Sequence, residues 1–164
     1  MILRVMNRHT AKKHSYNHNI PKTLIISINE WDDELNRFDR RNPNLIAVLP
    51  LQFDDVDGNN PMSMTKEDAR KIINFVNMHI DKVEEIVVHC KAGQSRSAGT
   101  CAALMRILLG DDRDIFESPK YTPNMHCYNT VLNAYYGVQM FGQCIEEGIE
   151  AEKKANIENW KANN

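Results

Sequence analysis

No stretch of this sequence approaches the ~20 consecutive apolar residues of a membrane-spanning helix, although 42% of its residues are hydrophobic. Aromatic residues are scarce, at 7%, and the net charge is only −2. With a pI near 6.3, the chain has no basic excess for gripping nucleic acid, and no long basic tract for docking on a membrane surface. The opening MILRVMNRHTAKKHS lacks the long apolar core and small-residue cleavage site expected of a secretory signal. The four cysteines, at 90, 101, 127 and 144, form no CxxC pair. Repeats and low-complexity linkers are missing as well. A chain of 164 residues with this apolar content suits one globular domain over 1–164.

What the sequence does have is concentrated in IVVHCKAGQSRSAG, residues 86–99. Ile86, Val87 and Val88 form an apolar run suited to a buried parallel strand. From Ser97 onward, Ala98, Cys101, Ala102, Met105 and Leu109 recur at helical spacing, and Gly110 supplies a stop. A strand, a glycine-containing loop and a helix make an anion cradle. Backbone N–H groups of Lys91, Ala92, Gly93, Gln94 and Ser95 can converge on one spot, and the helix dipole adds positive charge there. Arg96 can close the cradle with a planar fork on two phosphate oxygens. The donors that hold a phosphoryl group also stabilise a thiolate, so Cys90 at the cradle's entrance is a candidate nucleophile with a depressed pKa.

His89–Ser97 resembles the HC-x5-R-S/T signature of the cysteine-dependent protein tyrosine and dual-specificity phosphatases. Small dual-specificity and prokaryotic members also match it in size and element order. The resemblance implies Cys90 as nucleophile, Arg96 as phosphate clamp, Ser97 as hydrogen-bond donor to the departing thiolate, and His89 as a residue that tunes Cys90 from behind. It implies a reaction without metal or cofactor, through a cysteinyl phosphate. A thiolate among the four cysteines fits a reducing, cytoplasmic setting.

An ester leaving group needs a proton, and the same acid can later activate water. The family keeps an Asp for this on a loop upstream of the cysteine. Here that loop is LPLQFDDVDGNNPMS, with Asp54, Asp55 and Asp57 as candidates. Alternation along Leu49, Leu51 and Phe53 favours Asp55, Asp57 is next and Asp54 third. Lys91 half completes the C-K-x-G-K loop of inositol-lipid phosphatases, in which two lysines meet extra phosphates, but Gln94 stands where the second would be. Phosphoproteins therefore rank first as substrates, with small phosphorylated metabolites or inositol lipids second.

Elsewhere, strands are expected at Ile2–Met6, Leu24–Ile28 and around Leu45–Leu49, and EWDDELNRFDRRNPN as a short helix and loop. A helix is expected over Thr65–Ile80, opened by a Thr65/Asp68 capping box. A further helix near Met125–Gly137 would pack through Val131, Leu132, Tyr135 and Tyr136, and an amphipathic one would follow at the C-terminus. His9, His14 and His18 fit a solvated loop rather than a metal site. Cys101 fits the core better than a resolving partner for Cys90. The alternation predicts an α/β fold, a central mostly parallel sheet with helices on both faces and the phosphate loop at the carboxyl end of a central strand. The competing functions are a phosphate-binding module without turnover, and a rhodanese-type sulfur carrier or arsenate reductase. The upstream Asp loop counts against both, and Ser97 also counts against the second.

Overall fold

The computed structural model describes residues 1–137. Four strands form one parallel sheet: β1 (Ile2–Asn7), β2 (Thr23–Asn29), β3 (Leu45–Gln52) and β4 (Glu85–Cys90), in the order β1-β4-β2-β3. Between and after them come α1 (Arg8–Ser15), α2 (Lys66–His79), α3 (Arg96–Leu109) and the short α4 (Arg113–Phe116). A helix α5 covers 125–137. Strand β4 is interior, so all of its residues are buried, and it ends at Cys90.

Alternate strand residues divide between two apolar layers. Leu24, Ile26, Ile28, Ile86 and Val88 face the larger one, with Ile72, Ile73 and Val76 of α2, Ala98 and Cys101 through Met105 of α3, and Val131 of α5. Ile25 and Val87 face the other, covered by Ala11 of α1 and by Phe38. Helices therefore lie on both faces, as expected for a parallel sheet. The Thr65/Asp68 capping box opens α2, and a 3-10 turn, Ile80–Lys82, closes it. Gly110 ends α3 at φ 75°, its N–H on the Arg106 carbonyl.

Several expectations are corrected. Residues 8–15 form α1 rather than a loop. Asn7 caps the helix by accepting from Thr10 N–H at 2.8 Å, which compensates for an interior with few apolar residues. Of the three nearby histidines His9 is exposed as expected, while the other two meet carboxylates. His14 Nε2 lies 2.7 Å from Glu85 Oε2 and His18 Nε2 3.1 Å from Asp39 Oδ2. Glu85 opens β4, although it closes the charged stretch Asp81–Glu85 in the sequence. Its carboxylate also accepts from Arg4 Nε at 2.6 Å and Thr23 Oγ1 at 2.7 Å. Residues 30–44 contain no helix, because the chain there is held by Phe38 in the core and by Asn42 and Asp39 bonding back to Ser15. β3 runs through Pro50, which an edge strand tolerates. Leu109 and Tyr136, expected to pack, are half exposed. The expected C-terminal helix and Cys144 lie outside the described residues.

Candidate active site

The loop between β4 and α3 wraps around the Cys90 sulfur. Ser97 Oγ stands 3.0 Å from Sγ, and Gly93 N–H donates to it at 3.3 Å. Gly93 makes this turn possible. Its φ is +70°, and a Cβ there would fall 2.6 Å from the backbone nitrogen of Asn7 at the end of β1. Burial by itself would push the Cys90 thiol up. The Ser97 hydroxyl and the N–H groups of Ser97, Gly93 and Gln94 outweigh that and hold it below its ordinary value. At Cys101 nothing opposes burial and at Cys127 a backbone hydrogen bond opposes it too weakly, so both rise to about 12 and are protonated, unreactive thiols.

His89 supports the loop from behind. Its ring is fully buried, with Nε2 2.8 Å from Ser27 Oγ and Nδ1 3.5 Å from the Cys90 carbonyl. A carbonyl only accepts, so the proton sits on Nδ1 and Nε2 accepts from Ser27. Burial pushes the imidazole down to about 4, so His89 is neutral near pH 7 and adds no charge beside the sulfur.

Arg96 opens α3 with its guanidinium enclosed. Nη1 donates to the Phe53 carbonyl at 2.8 Å, and Nη2 lies 3.7 Å from Glu30 Oε1. Nε is buried without a partner. Nε and Nη2 form one edge of the guanidinium, the edge that would present two parallel N–H groups to an oxyanion. Lys91 points outward and pairs with Glu30 Oε2 at 3.0 Å, so the same carboxylate bridges both cations. Glu30, Asp32 and Asp33 bring carboxylate oxygens within 4.8 Å of one another; Lys91 and Arg96 pair with Glu30 and Arg8 with Asp33. That makes the group an ion-pair lattice at the mouth of the loop. Gln94 is exposed, and no second lysine joins Lys91 on the loop itself.

The three aspartates of the upstream loop separate clearly. Asp54 accepts from Trp31 N–H at 2.9 Å, and Asp57 closes a local turn on Asn59 N–H at 3.1 Å. Asp55 alone of the three meets the phosphate loop. Its Oδ1 accepts from Ser95 Oγ at 2.7 Å and from Asn124 Nδ2 at 2.8 Å. Asn124 was not anticipated as a site residue. The sequence signal was the TPN step before α5, which marks a helix start. Asn124 Oδ1 does accept from Cys127 N–H at 3.0 Å as an N-cap, leaving its amide nitrogen free for Asp55.

No family model matches the chain, and no curated protein matches it at a significant level. Solved structures do. Human DUSP28 aligns over 84% of this chain and 94% of its own, at 16% identity and a TM-score of 0.57. DUSP15 aligns over 88% and 90%, at 24% identity and a TM-score of 0.54. The fold is that of the dual-specificity phosphatases. PTPMT1, solved with PI(5)P, shares it over 86% of this chain and 94% of its own, at 16% identity and a TM-score of 0.53. In this fold the loop after β4 is the one that carries Cys90, Arg96 and Ser97 here.

Proposed function

We propose that this protein hydrolyses phosphate monoesters through a cysteinyl-phosphate intermediate, with phosphotyrosine and phosphoserine or phosphothreonine in proteins as the substrate class. The observation that carries the reading is the convergence of three side chains from two separate segments. A hydrogen-bonded Cys90 sulfur, a buried Arg96 with an unpartnered Nε, and Asp55 on Ser95 gather around one cradle.

The chemistry follows from that arrangement. The phosphoryl oxygens take the loop N–H groups and the Nε–Nη2 edge of Arg96, displacing the Nη2 contact with Glu30. The Cys90 thiolate attacks phosphorus, the P–O ester bond breaks, and Asp55 gives its proton to the departing oxygen. Asp55, now ionised, takes a proton from water as the water oxygen attacks phosphorus. The P–S bond breaks, inorganic phosphate leaves, and the thiolate returns to the Ser97 hydroxyl. No step calls for a metal or cofactor. A thiolate-dependent reaction of this kind suits a reducing, cytoplasmic setting.

Protein substrates are favoured over multiply phosphorylated inositols because the loop's single lysine, Lys91, is already engaged by Glu30. A binding module without turnover would have no use for a carboxylic acid held at Ser95. The test is turnover on phosphopeptides, phosphorylated metabolites and inositol phosphates with chelator present, for the wild type and Cys90→Ser. Phosphopeptide turnover that chelator leaves unchanged and Cys90→Ser abolishes is expected. Vanadate should still bind Cys90→Ser. Equal turnover by the two proteins would defeat the covalent mechanism.

A further inference from the structure

The loop that carries Asp55 is long and polar, and its own bonds are mostly local turns. Asp57 caps Asn59 and Asn60, and Asn60 caps Met62 and Ser63. Something outside the loop must set where it stands. The chain at 122–126 supplies that reference. Thr122 N–H donates to the Gln94 carbonyl at 2.9 Å and Asn124 N–H to the Ser95 carbonyl at 3.1 Å, so this segment is tied to the phosphate loop. Asn124 Nδ2 also reaches the Val56 carbonyl at 3.2 Å.

His126, two residues on, reaches the acid loop at two further points. Its Nε2 stands 2.8 Å from the Met64 carbonyl, an acceptor only, so Nε2 carries the proton. The other edge of the ring lies against Gly58. A Cβ at residue 58 would fall 2.6 Å from His126 Nδ1 and 2.8 Å from Cε1. A side chain at residue 58 would therefore push the loop tip or the ring out of this arrangement.

We propose that His126, seated on Gly58 and bonded to the Met64 carbonyl, is a positioning residue that fixes the acid loop over the phosphate cradle. The inference rests on the phosphatase reading above. Met64 ends the loop just before the Thr65 cap of α2, and Asp54 N–H bonds the Met62 carbonyl at 2.7 Å, so a hold on Met64 and Gly58 fixes both stem and tip. The N-terminal stem is held at Phe53 and Asp54 by Arg96 and Trp31, but beyond it the Asp55 carboxylate is held only by Asn124 and Ser95, and both of those bonds are to an exposed carboxylate.

The experiment compares kcat/KM on phenyl phosphate, a poor leaving group, with 2,4-dinitrophenyl phosphate, which leaves unaided. kcat/KM reports formation of the cysteinyl phosphate, the step that uses the acid. A misplacement of about 1 Å can cost a reacting group about 100-fold. His126→Ala and Gly58→Ala are therefore expected to lose about 10- to 100-fold on phenyl phosphate and less than about 3-fold on the dinitrophenyl ester. The inhibition constant for vanadate should hold. His126→Gln, which keeps a donor for Met64, should recover much of the loss. Parallel losses on both esters, or no loss on either, would overturn the proposal. If His126→Ala fails to fold, Gly58→Ala and His126→Gln decide by the same ratio. Wild-type protein inert on both esters would defeat the phosphatase reading, and the positioning role with it. Wild-type turnover with an unchanged ratio in the variants would defeat the positioning role alone.

Discussion

At the scale of single residues, Arg96 and Asp55 are the sharpest points of the proposed mechanism. Arg96 spends Nη1 on the Phe53 carbonyl and keeps Nε and Nη2 on one edge. A lysine preserves the charge but has no planar edge and cannot reach Phe53 and a phosphate together. Arg96→Lys should lose nearly as much kcat/KM as Arg96→Ala, and vanadate affinity should fall in both. Near-normal Arg96→Lys kinetics would rule out two-point phosphate recognition. Asp55→Asn keeps the shape of the side chain and can still accept from Ser95, but has no proton to give. General acid catalysis is worth about 100- to 10,000-fold, so phosphotyrosine turnover should drop by that order and activated aryl esters by much less. Asp54→Asn and Asp57→Asn, whose carboxylates serve Trp31 and Asn59, should show no such dependence on the leaving group. A leaving-group effect in Asp57→Asn with none in Asp55→Asn would move the acid by two positions along the loop.

At the scale of elements, the site depends on how helices begin. α3 starts at Arg96, with no side-chain cap at Ser95, whose hydroxyl is used on Asp55 instead. The first-turn N–H groups are thus left to Cys90 and to a bound anion. α2 is the opposite case. Thr65 accepts from Asp68 N–H at 3.1 Å, and the Asp68 carboxylate accepts from Thr65 N–H at 2.9 Å. This cap ends the acid loop and has no chemistry of its own. Thr65→Ala should lower stability by about 1 kcal/mol and the melting temperature by about 2–4 °C. Vanadate affinity should be unchanged. A variant that melts with wild type would show that tertiary packing, not the cap, starts the helix.

At the scale of the molecule, Glu85 ties β4 to β1, α1 and β2 through Arg4, His14 and Thr23. Burial would raise its carboxyl. The bonds from His14, Thr23 and Arg4, with the His14 charge, reverse that and hold it at about 2 against an ordinary 4.5. The folded value is the lower one, so Glu85 contributes stability above pH 4.5 and loses it as pH falls toward 2. The difference corresponds to about 3 kcal/mol at neutral pH. Urea unfolding of wild type at stepped pH should show that decline. Glu85→Gln should start about that much less stable at pH 7 and decline less steeply. Identical acid limbs in the two proteins would remove Glu85 from the account.

The sequence by itself determined the α/β class, the strand that ends at Cys90, the helix that starts beside it and the capping box of α2. These depend on neighbours within a few positions, where spacing and residue type are enough. The phosphate loop is legible for the same reason, since its donors are consecutive N–H groups and its one glycine with positive φ lies inside the motif. Only the tertiary structure shows which of Asp54, Asp55 and Asp57 meets the phosphate loop, because the three are chemically alike and differ only in what faces them. Ser95 and Asn124 face Asp55 across 40 and 69 positions of chain, and no local pattern carries that information. α1 escaped notice because it buries only Ala11 and Ser15, too little apolar surface to give a helical period. His14 read as solvated because its partner Glu85 lies 71 positions away. Burial of a charge is a property of the assembled sheet, since the partners that make it tolerable are strands and helices brought together from elsewhere.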